Sequence, residues 1–131
     1  MIMFKERCAL SEQVENEWKP VSSGTIFIYY DNEIYGTRIN FSDDCNVVLS
    51  NTLIGLNTEM KISQNVCTWT AVEAANNLYQ WRNLQAAFET EDAAEQFYIT
   101  FREGVTYAEH SDIVDNIPTF ADPEDDNVVA N

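Results

Sequence analysis

The chain has 131 residues, with 7 Lys+Arg against 22 Asp+Glu and a net charge of −15. That length suits one domain with a real core, and 45% hydrophobic residues exclude a wholly disordered acidic polymer. The charge argues against nucleic acid and against anionic membrane surfaces, since both call for a basic protein face.

The first ten residues, MIMFKERCAL, lack the apolar core of a signal peptide. No window reaches the roughly 18 uninterrupted apolar residues of a membrane span. A location in the cytosol or nucleus is therefore expected. Thr25-Ile26-Phe27-Ile28-Tyr29-Tyr30 is β-branched and aromatic, a strand pattern, and Asp31-Asn32 offers a turn. Ile34 to Phe41 resumes as the second arm of a hairpin. Ser42-Asp43-Asp44 is a further turn signal, and Val47-Val48-Leu49 opens a strand that reaches Ile54. Met60-Lys61-Ile62, Val66 to Ala71 and Leu84 to Phe88 are three more short strands. Strands at this spacing predict a small barrel or sandwich.

One helix follows. Thr90 is its N-cap, with Glu91 and Asp92 in the first turn, where the helix dipole favours acid. Ala94, Phe97, Phe101 and Val105 recur at helical spacing, so this face belongs to the core and plugs the open end of the barrel. Arg102 is expected in the last turn, with Gly104 as the left-handed C-terminal residue. From His110 on, Pro118, Pro123 and an acidic run read as an extended or disordered appendage. The folded domain is accordingly placed at 1–106 and the acidic tail at 107–131. The tail reads as solubilising, or as an arm that touches a basic partner.

Chemistry-bearing patterns are scarce. Cys8, Cys45 and Cys67 are odd in number and widely spaced, which suits reduced thiols packed as small apolar groups. Asn40-Phe41-Ser42 matches a glycosylation acceptor only by chance if the chain is not secreted. His110 is the single histidine, and the four glycines are too dispersed for a phosphate loop. Asp43-Asp44 reads as a solvated turn pair rather than a cation site. No catalytic residue, metal or cofactor is expected, and the chain is not read as an enzyme.

An ordered set of short motifs carries a family resemblance. Phe4-Lys5-Glu6-Arg7-Cys8-Ala9-Leu10 is similar to the opening strand of Ran-binding domains. Glu17-Trp18-Lys19 follows, with Gly24-Thr25-Ile26-Phe27-Ile28 at that family's Trp-to-Gly step. Arg38 falls where the family has an arginine. Ser50-Asn51-Thr52 resembles its Ala-Asn-His motif, and Met60-Lys61-Ile62 its Met-Lys-Leu. Trp69-Thr70-Ala71, Leu84, Phe88, Ala93-Ala94, Phe97 and Phe101 reproduce its second-half spacing without a gap. The resemblance covers residues 4 to 104. It implies a pleckstrin-homology-like (PH-like) fold: mainly β, a seven-stranded barrel capped by a C-terminal helix.

The departures point the other way. The family's basic patch receives an acidic GTPase tail, yet Ser42 and Asp43 stand where an Arg-Arg pair belongs. Val47 replaces a lysine, and Pro20-Val21 replaces Glu-Arg. Two partner readings follow. In the first, the chain binds the GTP form of the Ran GTPase in nucleocytoplasmic transport or at the nuclear pore, with Lys19, Arg38 and Asn51 as surviving contacts. In the second, it has lost Ran and binds a peptide or another protein, as the related EVH1 and PTB domains do, on aromatics that include Trp18, Tyr29, Tyr30, Trp69, Tyr79 and Trp81. A scaffold or oligomerisation role is a third. The partner-binding set is Trp18, Lys19, Arg38, Asn51, Lys61, Trp81 and Arg82. Plainer roles stand beside each. Trp18 is partly buried in the barrel, Trp69 is core, and Trp81 lies in an exposed loop. Lys19, Arg38 and Arg82 pair with local carboxylates. Asn51 is a turn residue and Lys61 a solvated strand residue.

Overall fold

Alternating inward apolar and outward polar residues shape a single antiparallel sheet. The computed structural model describes residues 1–75 and 78–109. β1 (Ile2–Val14) and β2 (Glu17–Asp31) form a long hairpin closed by Glu15 and Asn16, both at positive φ. Two left-handed residues in a two-residue turn match the twist of the strands they join. β3 (Gly36–Asp43), β4 (Val48–Leu53), β5 (Met60–Ser63), β6 (Val66–Ala75) and β7 (Leu78–Phe88) follow, and then α1 (Glu91–Glu109). The sheet order is β4-β3-β2-β1-β7-β6-β5. Among the described residues, seven strands capped by one C-terminal helix form the architecture that the family resemblance implies.

Several elements run longer than their local signals. β7 begins at Leu78 rather than Leu84, because it pairs with β6 throughout, including Val72↔Trp81 and Ala71↔Arg82. Trp81 is therefore a strand residue, not a loop residue. Asn51 sits within β4, opposite Asn40, and is not a turn residue. Ile34 lies in the turn before β3, which starts at Gly36. Pro20-Val21 falls where the β1–β2 register slips between Leu10↔Ser22 and Ser11↔Pro20. A bulge is one of the few strand positions that tolerates proline. Gly24 is needed nearby, since a Cβ there would strike the backbone oxygen of Ser42.

The helix start is as expected: the Ala93 N–H donates to Thr90 Oγ1 at 3.1 Å, with Glu91 and Asp92 in the first turn. Its end is not. α1 continues to Glu109, so residues 107–109 are helix, Arg102 is not in the last turn, and Gly104 is internal. Gly104 serves packing instead of termination. A Cβ there would lie 2.5 Å from Thr37 Oγ1 and 2.9 Å from Ile54 Cδ1. His110 and the rest of the acidic tail lie outside the described residues.

The core gathers on Phe97. Its ring lies 5.3 Å from Phe4, 5.3 Å from Phe88 and 5.6 Å from Trp69, centroid to centroid. Such offset aromatic contacts add stability beyond area burial. Ala94, Phe101, Val105 and Ala108 complete the plug, and Trp69 is core, as expected.

Candidate partner-binding surface

Arg82 takes the plainer of its two expected roles, pairing with carboxylates of its own chain, and is not an exposed surface cation. Position 82 alternates with outward Trp81 and Asn83, so its side chain turns into the barrel end opposite α1. There it meets Glu12 of β1 in a two-point contact, Nη2 to Oε1 at 2.9 Å and Nε to Oε2 at 3.1 Å. Nη1 donates to the Leu49 carbonyl at 2.8 Å and to Glu73 Oε1 at 3.2 Å. Glu73 Oε2 in turn accepts from the Ser50 and Thr52 hydroxyls of β4. One guanidinium thus ties β1, β4, β6 and β7 together, and its fork suits this bidentate geometry better than a lysine would. The Glu12 hydrogen bond, more than the Coulomb attraction of Glu73, holds the Arg82 pKa above its ordinary value. Arg82 is a structural clamp.

The remaining cations are divided. Arg38 Nε lies 3.2 Å from Asp31 Oδ2, so the arginine matching the family pattern has a partner within the chain. Arg7 pairs with Asp44 at 2.7 Å. Lys5 Nζ sits 5.7 Å from the Phe27 ring centroid. Lys19 lies opposite Glu12 in register and Lys61 opposite Thr68 on the edge strand β5, both exposed. Arg38 and Asn51 share the outer face of β3 and β4, where Tyr29↔Arg38 and Asn40↔Asn51 are register partners. That face is separate from the one carrying Trp18 and Trp81.

The Asp43-Asp44 pair has work of its own. Asp43 Oδ1 accepts from the Cys45 and Val47 N–H groups, 2.9 Å each, and so builds the β3–β4 turn. An arginine at position 43 has no acceptor atoms with which to replace it. Asp44 is drawn below the ordinary aspartate pKa chiefly by the Arg7 hydrogen bond. The pair is locally engaged, not merely solvated. Among the cysteines, Cys8 and Cys67 are buried, and burial pushes both thiols up to about 12. Cys45 is exposed, contrary to the expectation that all three pack inside.

A different surface emerges from the register. On the outer side of the sheet, β1 contributes Ala9, Ser11 and Gln13, and the far end of β2 adds Trp18 and Pro20. β7 supplies Tyr79, Trp81, Asn83, Gln85 and Ala87, and β6 supplies Val66, Thr68, Thr70 and Val72. None of these residues is charged, in a chain of net −15. Asn83 links the strands sideways: its Oδ1 accepts from Thr70 Oγ1 at 2.8 Å and its Nδ2 donates to Gln13 Oε1 at 3.4 Å. Trp18 stands opposite Gln13 on the outer side of the sheet and is 40% exposed. Tyr79 is 56% exposed, while Trp81 is half-buried opposite buried Val72. Of the sequence-derived set, this face unites Trp18 and Trp81, with Lys61 at its margin. Gln13, Thr70 and Asn83 were missed. Their signal is uncharged polar residues at alternate positions of three strands that the sheet then sets side by side.

No family model matches the sequence, and no curated protein matches it either. Solved structures do. The Ran-binding domain of the nuclear pore complex component NUP2 from Ashbya gossypii matches in two structures, at 10% identity and TM-scores of 0.67 and 0.69. The alignments cover 82% of this chain and 98% and 97% of those chains. The Dm DCP1 EVH1 domain, solved in complex with the XRN1 DBM peptide, matches at 14% identity and a TM-score of 0.59, over 80% of this chain and 76% of that one. The chain has the PH-like fold that Ran-binding and EVH1 domains share.

Proposed function

We propose that this chain is a non-enzymatic protein-interaction module whose partner docks on the uncharged outer face of β1, β7 and β6. The observation that carries the reading is that face itself: Trp18, Trp81 and Tyr79 among Thr, Asn and Gln, free of carboxylates in an otherwise acidic domain. Aromatic residues enriched and charges depleted is the composition of an interface core. The likeness to an EVH1 domain solved with a peptide supports a peptide or extended protein segment as the ligand class.

The Ran-GTP reading has the NUP2 likeness behind it, and with it a nuclear or nuclear-pore location. The charge distribution favours the other reading. Arg82 is spent inside the barrel, Arg38 and Arg7 are paired with Asp31 and Asp44, and Asp43 builds a turn. Each charge-assisted hydrogen bond to an acidic tail contributes about 1.5–3 kcal/mol, so losing several removes most of such docking. Calorimetric titration with Ran carrying a non-hydrolysable GTP analogue, at low salt, separates the two. No heat of binding at about 50 μM is expected, the range where weak complexes still register. Saturable binding that Arg38→Glu abolishes overturns the neutral-face reading.

A further inference from the structure

The uncharged face ends in a hollow. Ala87, Ala9 and Ser23 are register partners across β7, β1 and β2 on the outer side of the sheet. These short side chains border a cavity of about 190 Å³, with Arg7 and Glu89 also lining it. Arg7 is not a free cation, because Asp44 takes two of its N–H groups, at 2.7 and 3.4 Å. Glu89 is exposed and makes no direct ion pair among the described residues, its only printed attraction being a weak one to Arg7, which lines the same hollow. Around the hollow, two carboxylates therefore stand against one guanidinium. The whole of residues 1–109 adds to this field: 7 Lys+Arg against 16 Asp+Glu give 7 − 16 = −9.

We propose that this hollow receives one lysine or arginine side chain of the segment that docks on the neutral face. The aliphatic stem lies on Ala9 and Ala87, and the cationic head reaches Glu89, which is how long basic side chains combine an apolar body with a charged tip. An acidic side chain would meet net negative charge, and an uncharged one would leave Glu89 with only its weak attraction to Arg7. The spacing is fixed by the strands. Ala9 and Gln13, the latter opposite Trp18, are four residues apart on β1, or about 13 Å at strand rise. An extended ligand thus carries its basic residue about four positions from the residue lying on the tryptophans. This inference rests on the proposed role of the neutral face.

The test is selection of a random twelve-residue phage-displayed peptide library on the full chain, followed by affinity measurements on the consensus peptide. The expected consensus has a Lys or Arg about four positions from an aromatic or proline. Glu89→Lys should weaken that peptide about tenfold or more, and a charge-swapped peptide should recover the loss. Ala9→Tyr, which fills the hollow from an exposed strand position, should weaken it as well. A consensus without a basic position, or affinity indifferent to both substitutions while Trp81→Ser still lowers it, overturns the hollow and leaves the face standing. No enrichment, or enrichment indifferent to Trp18→Ser and Trp81→Ser, overturns the face and the hollow together.

Discussion

The two ends of the barrel are closed by opposite chemistry. At one end α1 inserts Phe97 and Phe101 among Phe4, Phe88 and Trp69, an apolar plug held by shape and area. At the other, Arg82 gathers Glu12, Glu73 and the Leu49 carbonyl, and Glu73 gathers Ser50 and Thr52. The plug is non-directional and tolerates small shifts. The clamp is directional, and it carries a desolvation cost that only a complete set of partners offsets. It also fixes which strand meets which, because β4 hydrogen-bonds to β6 and β7 side chains where no ladder joins them. The difference explains where Arg82 goes: a cation the sequence offered to a partner is consumed in closing the barrel.

The largest expected effect breaks the plug. Phe97→Ala should cost about 3–5 kcal/mol, the usual range for a fully buried aromatic, read as a lower urea midpoint. A cost near 1 kcal/mol would mean the helix end is loosely packed. Next comes the clamp. Arg82→Met should cost about 2–4 kcal/mol, somewhat under the range for a broken buried pair because the side chain keeps 15% exposure. The triple change Arg82→Met, Glu12→Gln, Glu73→Gln should recover most of that loss, since no unpaired charge remains. If the triple variant is no better than the single one, the clamp acts through its contacts and not through charge balance.

A third substitution tests the seam of the plug. Gly104→Ala gains about 1 kcal/mol of helix propensity but puts a Cβ against Thr37 and Ile54. Overpacking typically costs 1–3 kcal/mol, so a net loss of about 1 kcal/mol is expected, and a gain in thermal stability would show that Gly104 is not a packing residue.

How legible each end was in the sequence follows from distance along the chain. The plug is local: Ala94, Phe97, Phe101 and Val105 lie on consecutive turns, and Thr90 announces the start. Even there, Gly104 was misread, because a glycine in the last periodic turn signals termination unless one knows what strand it faces. The clamp is not local. Glu12 and Arg82 are 70 residues apart, and no periodicity links them. The segment from Tyr79 to Asn83 reads as polar and loop-like until β6 is laid beside it. The neutral face lay between these cases: its alternation was present in each strand, but its lack of charge counts only once the strands are ordered.

The smallest expected effect comes from ion pairs like the clamp's in geometry but set in water. Arg7–Asp44 is as short as Arg82–Glu12, at 2.7 against 2.9 Å, yet its side chains are 54% and 64% exposed. Exposed pairs are screened and lose side-chain entropy on forming, so Arg7→Met should leave the urea midpoint nearly unchanged at physiological salt. Acid titration exposes what remains. Asp44 is lowered chiefly by the Arg7 hydrogen bond, and Asp31 by the Glu33 N–H and then by Arg38. A depressed folded pKa gives stability that is present in full above the unfolded value, near 3.8, and is lost as pH falls through the folded value. The wild-type midpoint should therefore decline below about pH 4, and Asp31→Asn with Asp44→Asn should flatten that decline while lowering the midpoint at pH 7 by the same small amount, because the stability lost in acid is what these carboxylates contribute above it. Arg82→Met should instead give a large loss at pH 7, because what separates the two kinds of ion pair is burial and not distance.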